Sequence, residues 1–193
     1  MNSILSIFLN NKKCYAATNE SRAMIECSTI QKVSDVFIPM LSNLPEIREI
    51  NKIIFPIGPG SFTSIRVINS VVKGFSIVGH RELIPVSSFL PFFIALPESI
   101  KTGTIAISTG RGDYFCAQFN NNIIERELSI VSSVYDLQNA FLDKDEIFAD
   151  INLADVMLTN IDSPKAALNI NNSSNKTPCE PTYGFSPNYT ARL

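Results

Sequence analysis

The sequence predicts an α/β chain of two lobes, each a mixed sheet flanked by helices. Three observations carry that prediction. First, a β-branched run, Lys52 to Ile57, leads into the loop Gly58-Pro59-Gly60-Ser61-Phe62-Thr63-Ser64 and then a long apolar-striped helix. Strand, Gly-rich loop and helix in that order form one α/β crossover unit, and a strand without alternation is one covered on both faces. Second, the strand–turn–strand pattern of Ile4 to Ala17 returns at Thr104 to Ala117 in the same element order. Third, 193 residues suffice for one ordinary domain or two small lobes, with no disulfide or metal staple required.

The elements follow from local chemistry. Residues 4–9 and 13–18 read as strands joined by a tight polar turn at Asn10-Asn11, and 21–28 as a third strand. Val33, Val36, Phe37, Met40, Leu41 and Leu44 recur at helical spacing, so a helix is predicted over about 33–44. Pro39 falls inside it and implies a kink or a later start. The helix after the Gly-rich loop runs from 62 to about Val78. In the second lobe the strand–turn–strand of 104–117 is followed by a helix over 132–142, a strand over 146–150 and a short strand near 156–159. From Asn169 the composition shifts to Asn, Ser, Thr and Pro, so a mobile tail is expected up to Tyr183–Tyr189. The lobes are placed at 1–100 and 101–193.

Composition narrows the function. Hydrophobic residues make up 45% and charged residues 18%, with 16 basic against 18 acidic side chains and a net charge of −2. Direct nucleic-acid binding needs clustered Lys and Arg to displace counterions from phosphates, and this balance argues against it. The polarity is too low for a disordered acidic chain. Cys14, Cys27, Cys116 and Cys179 are scattered, with no C-x-x-C pair to suggest zinc or a disulfide framework. The apolar start, Met1 to Leu9, lacks a basic n-region, and the stretch from Leu83 to Leu96 is broken by Pro85 and Pro91. A cytoplasmic protein without membrane contact is expected, and the N-x-S/T triplets at Asn171, Asn172, Asn175 and Asn188 are then chance matches.

The most informative segment is the loop Gly58-Pro59-Gly60-Ser61-Phe62-Thr63. Its glycines allow a tight turn, and Ser61 or Thr63 is placed to cap the helix. Gly58, Gly60, Ser61 and Thr63 therefore form either a plain capped turn or an anion-binding loop at a helix start. No Lys-Ser/Thr follows the second glycine, so it is not a Walker loop. The helix carries two apolar stripes, Ile65, Ile68, Val72 and Phe75 on one side and Val67, Val71, Gly74 and Val78 on another. A helix apolar on two faces is either sandwiched within its own chain or docked on a partner, and small Gly74 admits a close neighbour.

Several look-alikes fail on spacing. Ser70-Val71-Val72-Lys73 and Lys101-Thr102-Gly103 resemble penicillin-recognising motifs, but no S-D-N lies between them and they are too close. Arg111-Gly112-Asp113 reads as a hairpin turn. His80 is the single histidine, which removes His-pair metal sites, and it reads as a surface residue. Two-lobed phosphate-handling folds place an aspartate near the end of the first strand of each lobe; the corresponding residues are Phe8 and Ser108.

Taken together, Gly58-Pro-Gly-Ser-Phe-Thr-Ser-Ile-Arg66, Lys73-Gly74-Phe75 and Pro85-Val86-Ser87-Ser88-Phe89 resemble the TsaB (YeaZ) family in order and spacing. These segments match its GPGSFTGLR loop, KGLA helix and V-S-S/T-L strand-to-helix step. Ala106-Ile107 through Gly112-Asp113-Tyr114-Phe115 is similar to its I-D-A-R-x-G-E-V-Y hairpin, and Pro187-Asn188-Tyr189 to its terminal P-x-Y. The family's first-strand I-D-T-S stands here as Ile7-Phe8-Leu9-Asn10, and its hairpin aspartate and arginine as Ser108 and Gly110.

The resemblance implies an actin-like fold of the sugar-kinase and Hsp70 group. It also implies a non-catalytic subunit of the machinery that makes threonylcarbamoyladenosine in tRNA. The partners implied are TsaD, which carries the metal and transfers the threonylcarbamoyl group, and the ATPase TsaE. ATP and metal then belong to partner subunits and tRNA is met only through the complex, while the chain alone is either a monomer or a homodimer paired through the same apolar helices. Docking would use the helices at about 33–44 and 62–78, through Val33, Phe37, Met40, Leu41, Val67, Val71, Gly74 and Val78, with Arg66 as a polar anchor. The alternatives are an ATP-dependent kinase-like enzyme, which Phe8 and Ser108 oppose, and a peptidase, which a single histidine opposes.

Overall fold

A computed structural model describes residues 3–9, 13–26, 33–90, 96, 99–109, 111–120, 123–131 and 146–149. Strands β1 (Ser3–Leu9), β2 (Lys13–Thr18) and β3 (Arg22–Glu26) form an antiparallel meander. Helix α1 (Val33–Ser42) follows, then β4 (Ile50–Gly58), helix α2 (Phe62–Gly79) and β5 (Glu82–Ser87). β4 lies parallel to β1, and β5 parallel to β4, which gives a five-stranded mixed sheet in the order β3-β2-β1-β4-β5. A second sheet holds β6 (Thr102–Ser108), β7 (Tyr114–Asn120), β8 (Ile123–Val131) and β9 (Glu146–Ala149) in the order β8-β7-β6-β9.

The two sheets repeat one plan. Each has an antiparallel meander whose first strand is also paired, in parallel, with a strand reached after a crossover. The repeat seen in the sequence is therefore a repeat of topology. Register aligns the hairpins: Phe8 pairs with Tyr15 and Ser108 with Tyr114, so an aromatic faces the strand-end residue in both. The cysteines do not correspond, since Cys14 pairs with Leu9 while Cys116 pairs with Ala106.

β1 and β4 show why this order is stable. Leu5 and Ile7, with Ile53, Phe55 and Ile57, point to one face and pack with Phe37, Met40 and Leu41 of α1 and Ile68 and Val72 of α2. Phe8, Ile54 and Val86 occupy the other face with Ile4, Tyr15, Ile84 and Leu90 around them. Apolar residues at both parities of one strand are what a central strand requires. In the second sheet Ile105, Ile107, Phe115, Ala117 and Phe119 pack with Phe89, which follows β5. Burial pushes the Cys116 thiol up to about 12, so it stays protonated and inert.

Several expectations need adjusting. α1 begins at Val33 despite Pro39, so the later start is not seen. Pro39 lies on the exposed side of α1. Strand β8 was not predicted from the sequence. The helix at 132–142, the strand near 156–159 and the tail beyond 169 lie outside the described residues.

Candidate functional site

Two features converge around α2: the loop that starts it and the face it shares with α1. β4 ends in Gly58 at φ 124°, where only glycine sits without strain, and the Gly58–Pro59 bond is cis. The Ser88 amide donates to the Gly58 carbonyl at 2.9 Å, which fixes the loop to the end of β5. Gly60 carries no comparable demand, since a Cβ there meets Ile65 Cδ1 at an ordinary 3.5 Å.

The predicted side-chain cap is corrected. Ser61 is the N-cap residue, but its hydroxyl makes no capping hydrogen bond; its carbonyl accepts from the Ile65 amide at 3.0 Å, and Thr63 points to solvent. The loop is thus shaped by Gly58 and its tie to Ser88 rather than by a serine cap.

α2 lies against β4 and β1 and beside α1. Its inner stripe is as expected: Ile65, Ile68 and Val72 are buried, with Phe75 packed at the margin. The second stripe splits along its length. Val67 and Val71 are half-buried against the core, whereas Gly74 is open, with nothing within 4 Å of a Cβ built on it. Val78 is 85% exposed. Two residues not singled out from the sequence complete the apolar outer surface: Ile77 at 76% and Ile38 on α1 at 49% exposure. The signal for Ile77 was present, because it falls outside both stripes and no core contact explains an isoleucine there.

The expected α1 contributions are corrected by burial. Phe37, Met40 and Leu41 face the chain's own core and are fully or almost fully buried. They hold α1 on the first sheet and are not available to a partner. Helical spacing identifies an apolar stripe but not which neighbour covers it. Val33 opens the helix. Arg66 is exposed near the start of α2, with its guanidinium 3.9 Å from the Phe62 ring centroid.

The strand-end position of β1 is occupied by an apolar side chain. Phe8 is only 6% exposed and packs with Ile54 and Val86. Phenylalanine offers neither a ligand nor a base, and the apolar packing around it does not suit a hydrated cation. Among the described residues, no group of three His, Cys, Asp or Glu side chains is placed to hold a metal ion. No helix among them is long and apolar enough to cross a membrane.

Comparison with solved structures bears on this arrangement. YeaZ from Pseudomonas aeruginosa superposes with a TM-score of 0.61 at 14% identity, over 87% of this chain and 89% of that one. In fold, the chain is similar to YeaZ. An uncharacterized protein with similarity to peptidase YEAZ from Pseudomonas aeruginosa gives a TM-score of 0.57 at 16% identity, over 77% of this chain and 75% of that one. No family model matches the chain, and no curated protein sequence does. The actin-like α/β fold with mixed sheets, implied by the resemblance to YeaZ, is the fold observed.

Proposed function

We propose that this chain is a non-catalytic scaffold subunit that binds TsaD and holds it in active form for threonylcarbamoyladenosine synthesis on tRNA. The reading rests on one observation above others. On a YeaZ-like fold, α1 presents Ile38 to solvent and α2 presents Ile77 and Val78, with Gly74 open on the same helix. Exposed aliphatic side chains gathered on one helix pair favour association, because covering them removes apolar area from water. The loop motif Gly58 to Arg66 starts the same helix. Phe8 at the strand end supports a role without phosphate chemistry of its own.

In this reading Gly74 lets a partner helix approach closely, Ile77 and Val78 enter its apolar surface, and Arg66 supplies a polar contact at the rim. TsaE joins the assembly through TsaD or this chain, and tRNA is contacted by partners, in keeping with a net charge of −2. The test is co-purification with the cognate TsaD. Val78→Glu is expected to abolish the complex, since a buried interface tolerates an unpaired carboxylate badly, while the folded chain is unchanged because Val78 touches little of its own core. Val78→Glu that co-purifies as the wild type does would place the interface elsewhere. Val67 and Val71 are poorer test sites, because a charge there also damages the chain's own packing.

A further inference from the structure

Arg81, two residues beyond α2, is shared among three parts of the chain. Its Nε donates to the Ile50 carbonyl at 3.0 Å, where β4 begins. Its Nη2 donates to the Ile47 carbonyl at 3.1 Å, in the segment joining α1 to β4. Its Nη1 donates to the Phe75 carbonyl at 2.8 Å, near the end of α2. The guanidinium also lies 5.4 Å from the Phe75 ring centroid.

The Phe75 carbonyl is two and three residues ahead of Ile77 and Val78, the most exposed large apolar side chains among the described residues. The last turn of α2 contains no basic residue and closes on His80 in the left-handed conformation, φ 49° and ψ 39°. That turn carries both Ile77 and Val78. The Phe75 carbonyl lies inside α2, so the guanidinium adds a charged donor one turn before the helix end. Arg81 supplies both a donor and a positive charge at the negative end of the helix dipole.

We propose that Arg81 is the positioning residue of the docking surface. It ties the end of α2 to the segment between α1 and β4, so that Ile77 and Val78 meet a protein partner in one arrangement. The inference rests on the docking role proposed above. A surface already ordered before binding loses less conformational freedom on association, and that saving appears as affinity. The geometry asks for a guanidinium, whose planar fork reaches three carbonyls from separate elements at once; an ammonium is a compact point charge and cannot span them. It also explains Gly79. A Cβ there would lie 2.6 Å from Arg81 Nη1 and 2.7 Å from Cζ, so any side chain would push the guanidinium off its carbonyls.

The experiment uses the full chain with Arg81→Met, Arg81→Lys and Gly79→Ala. Two quantities are read: amide hydrogen exchange, and affinity for the purified cognate TsaD. All three variants are expected to speed exchange in 47–50 and 75–79 together, while the centre of β4 stays slow. Each is expected to weaken binding about tenfold, the scale of two or three side chains ordered only on association. Gly79→Ala keeps Arg81 and displaces only its head, so it carries the test if Arg81→Met does not fold. Faster exchange with unchanged affinity would overturn the positioning role, as would unchanged exchange. A wild-type chain that fails to bind TsaD would instead overturn the docking role and this proposal with it, whatever the exchange shows.

Discussion

Ile68 and Ile77 share helix α2 but have opposite surroundings. Ile68 is fully buried between α2 and the first sheet, while Ile77 is 76% exposed. Truncating a core isoleucine loses its transfer energy and leaves a cavity, so Ile68→Ala is expected to cost about 2–5 kcal/mol in chemical denaturation. Ile77→Ala is expected to stay within about 0.5 kcal/mol of the wild type, as surface changes away from special features do. Equal losses at the two positions would contradict the assignment of inner and outer faces. Glu46 illustrates a polar residue with a defined job. Its Oε2 accepts from Ser21 Oγ at 2.7 Å and from Thr18 Oγ1 at 3.3 Å, which ties the segment after α1 to the β2–β3 turn. These hydrogen bonds, Ser21 first, hold its carboxyl below the ordinary glutamate value of 4.5. A lowered folded value means the contribution is complete above 4.5 and is lost as pH falls through the folded value. Urea unfolding against pH should therefore show a gap between wild type and Glu46→Gln that shrinks on acidification. A gap that widened would reverse the assigned sign.

At the scale of elements, the unit β4–loop–α2 was the most legible part of the sequence. Ile53, Ile54 and Phe55 give an apolar run without alternation, Gly58 supplies the turn, and Ile65, Ile68 and Val72 mark the buried stripe. Each signal is local and agrees with the tertiary outcome. β8 was hidden because its sequence, Ile-Ile-Glu-Arg-Glu-Leu-Ser-Ile-Val, puts three charged residues of low strand preference in the middle. Its place comes from pairing with β7, through a register with two irregularities that no local pattern encodes. The apolar outer face of the helix pair was half legible for the same reason. Val78 and Gly74 were identified from helical spacing, yet Phe37, Met40 and Leu41 were assigned outward when they face the sheet. Spacing gives the angle between stripes on one helix; only the sheet's position decides which stripe is inside. Arg81 carried no sequence signal, since its three acceptors are backbone carbonyls.

For the whole molecule, the repeated plan of the two sheets and the likeness to YeaZ set the frame, and what varies within it is chemistry at strand ends and helix faces. Here the strand end of the first sheet holds Phe8 in an apolar cluster, and the helix pair above that sheet turns aliphatic side chains to solvent. The near-neutral, weakly charged composition is coherent with the scaffold role proposed above, which asks for no basic face on this chain. The most direct measurement is the threonylcarbamoyladenosine content of tRNA from cells depleted of this chain, with the wild type or Val78→Glu supplied back. A scaffold that acts by docking predicts that depletion removes the modified nucleoside, that the wild type restores it and that Val78→Glu does not. Undiminished threonylcarbamoyladenosine after depletion would contradict the account.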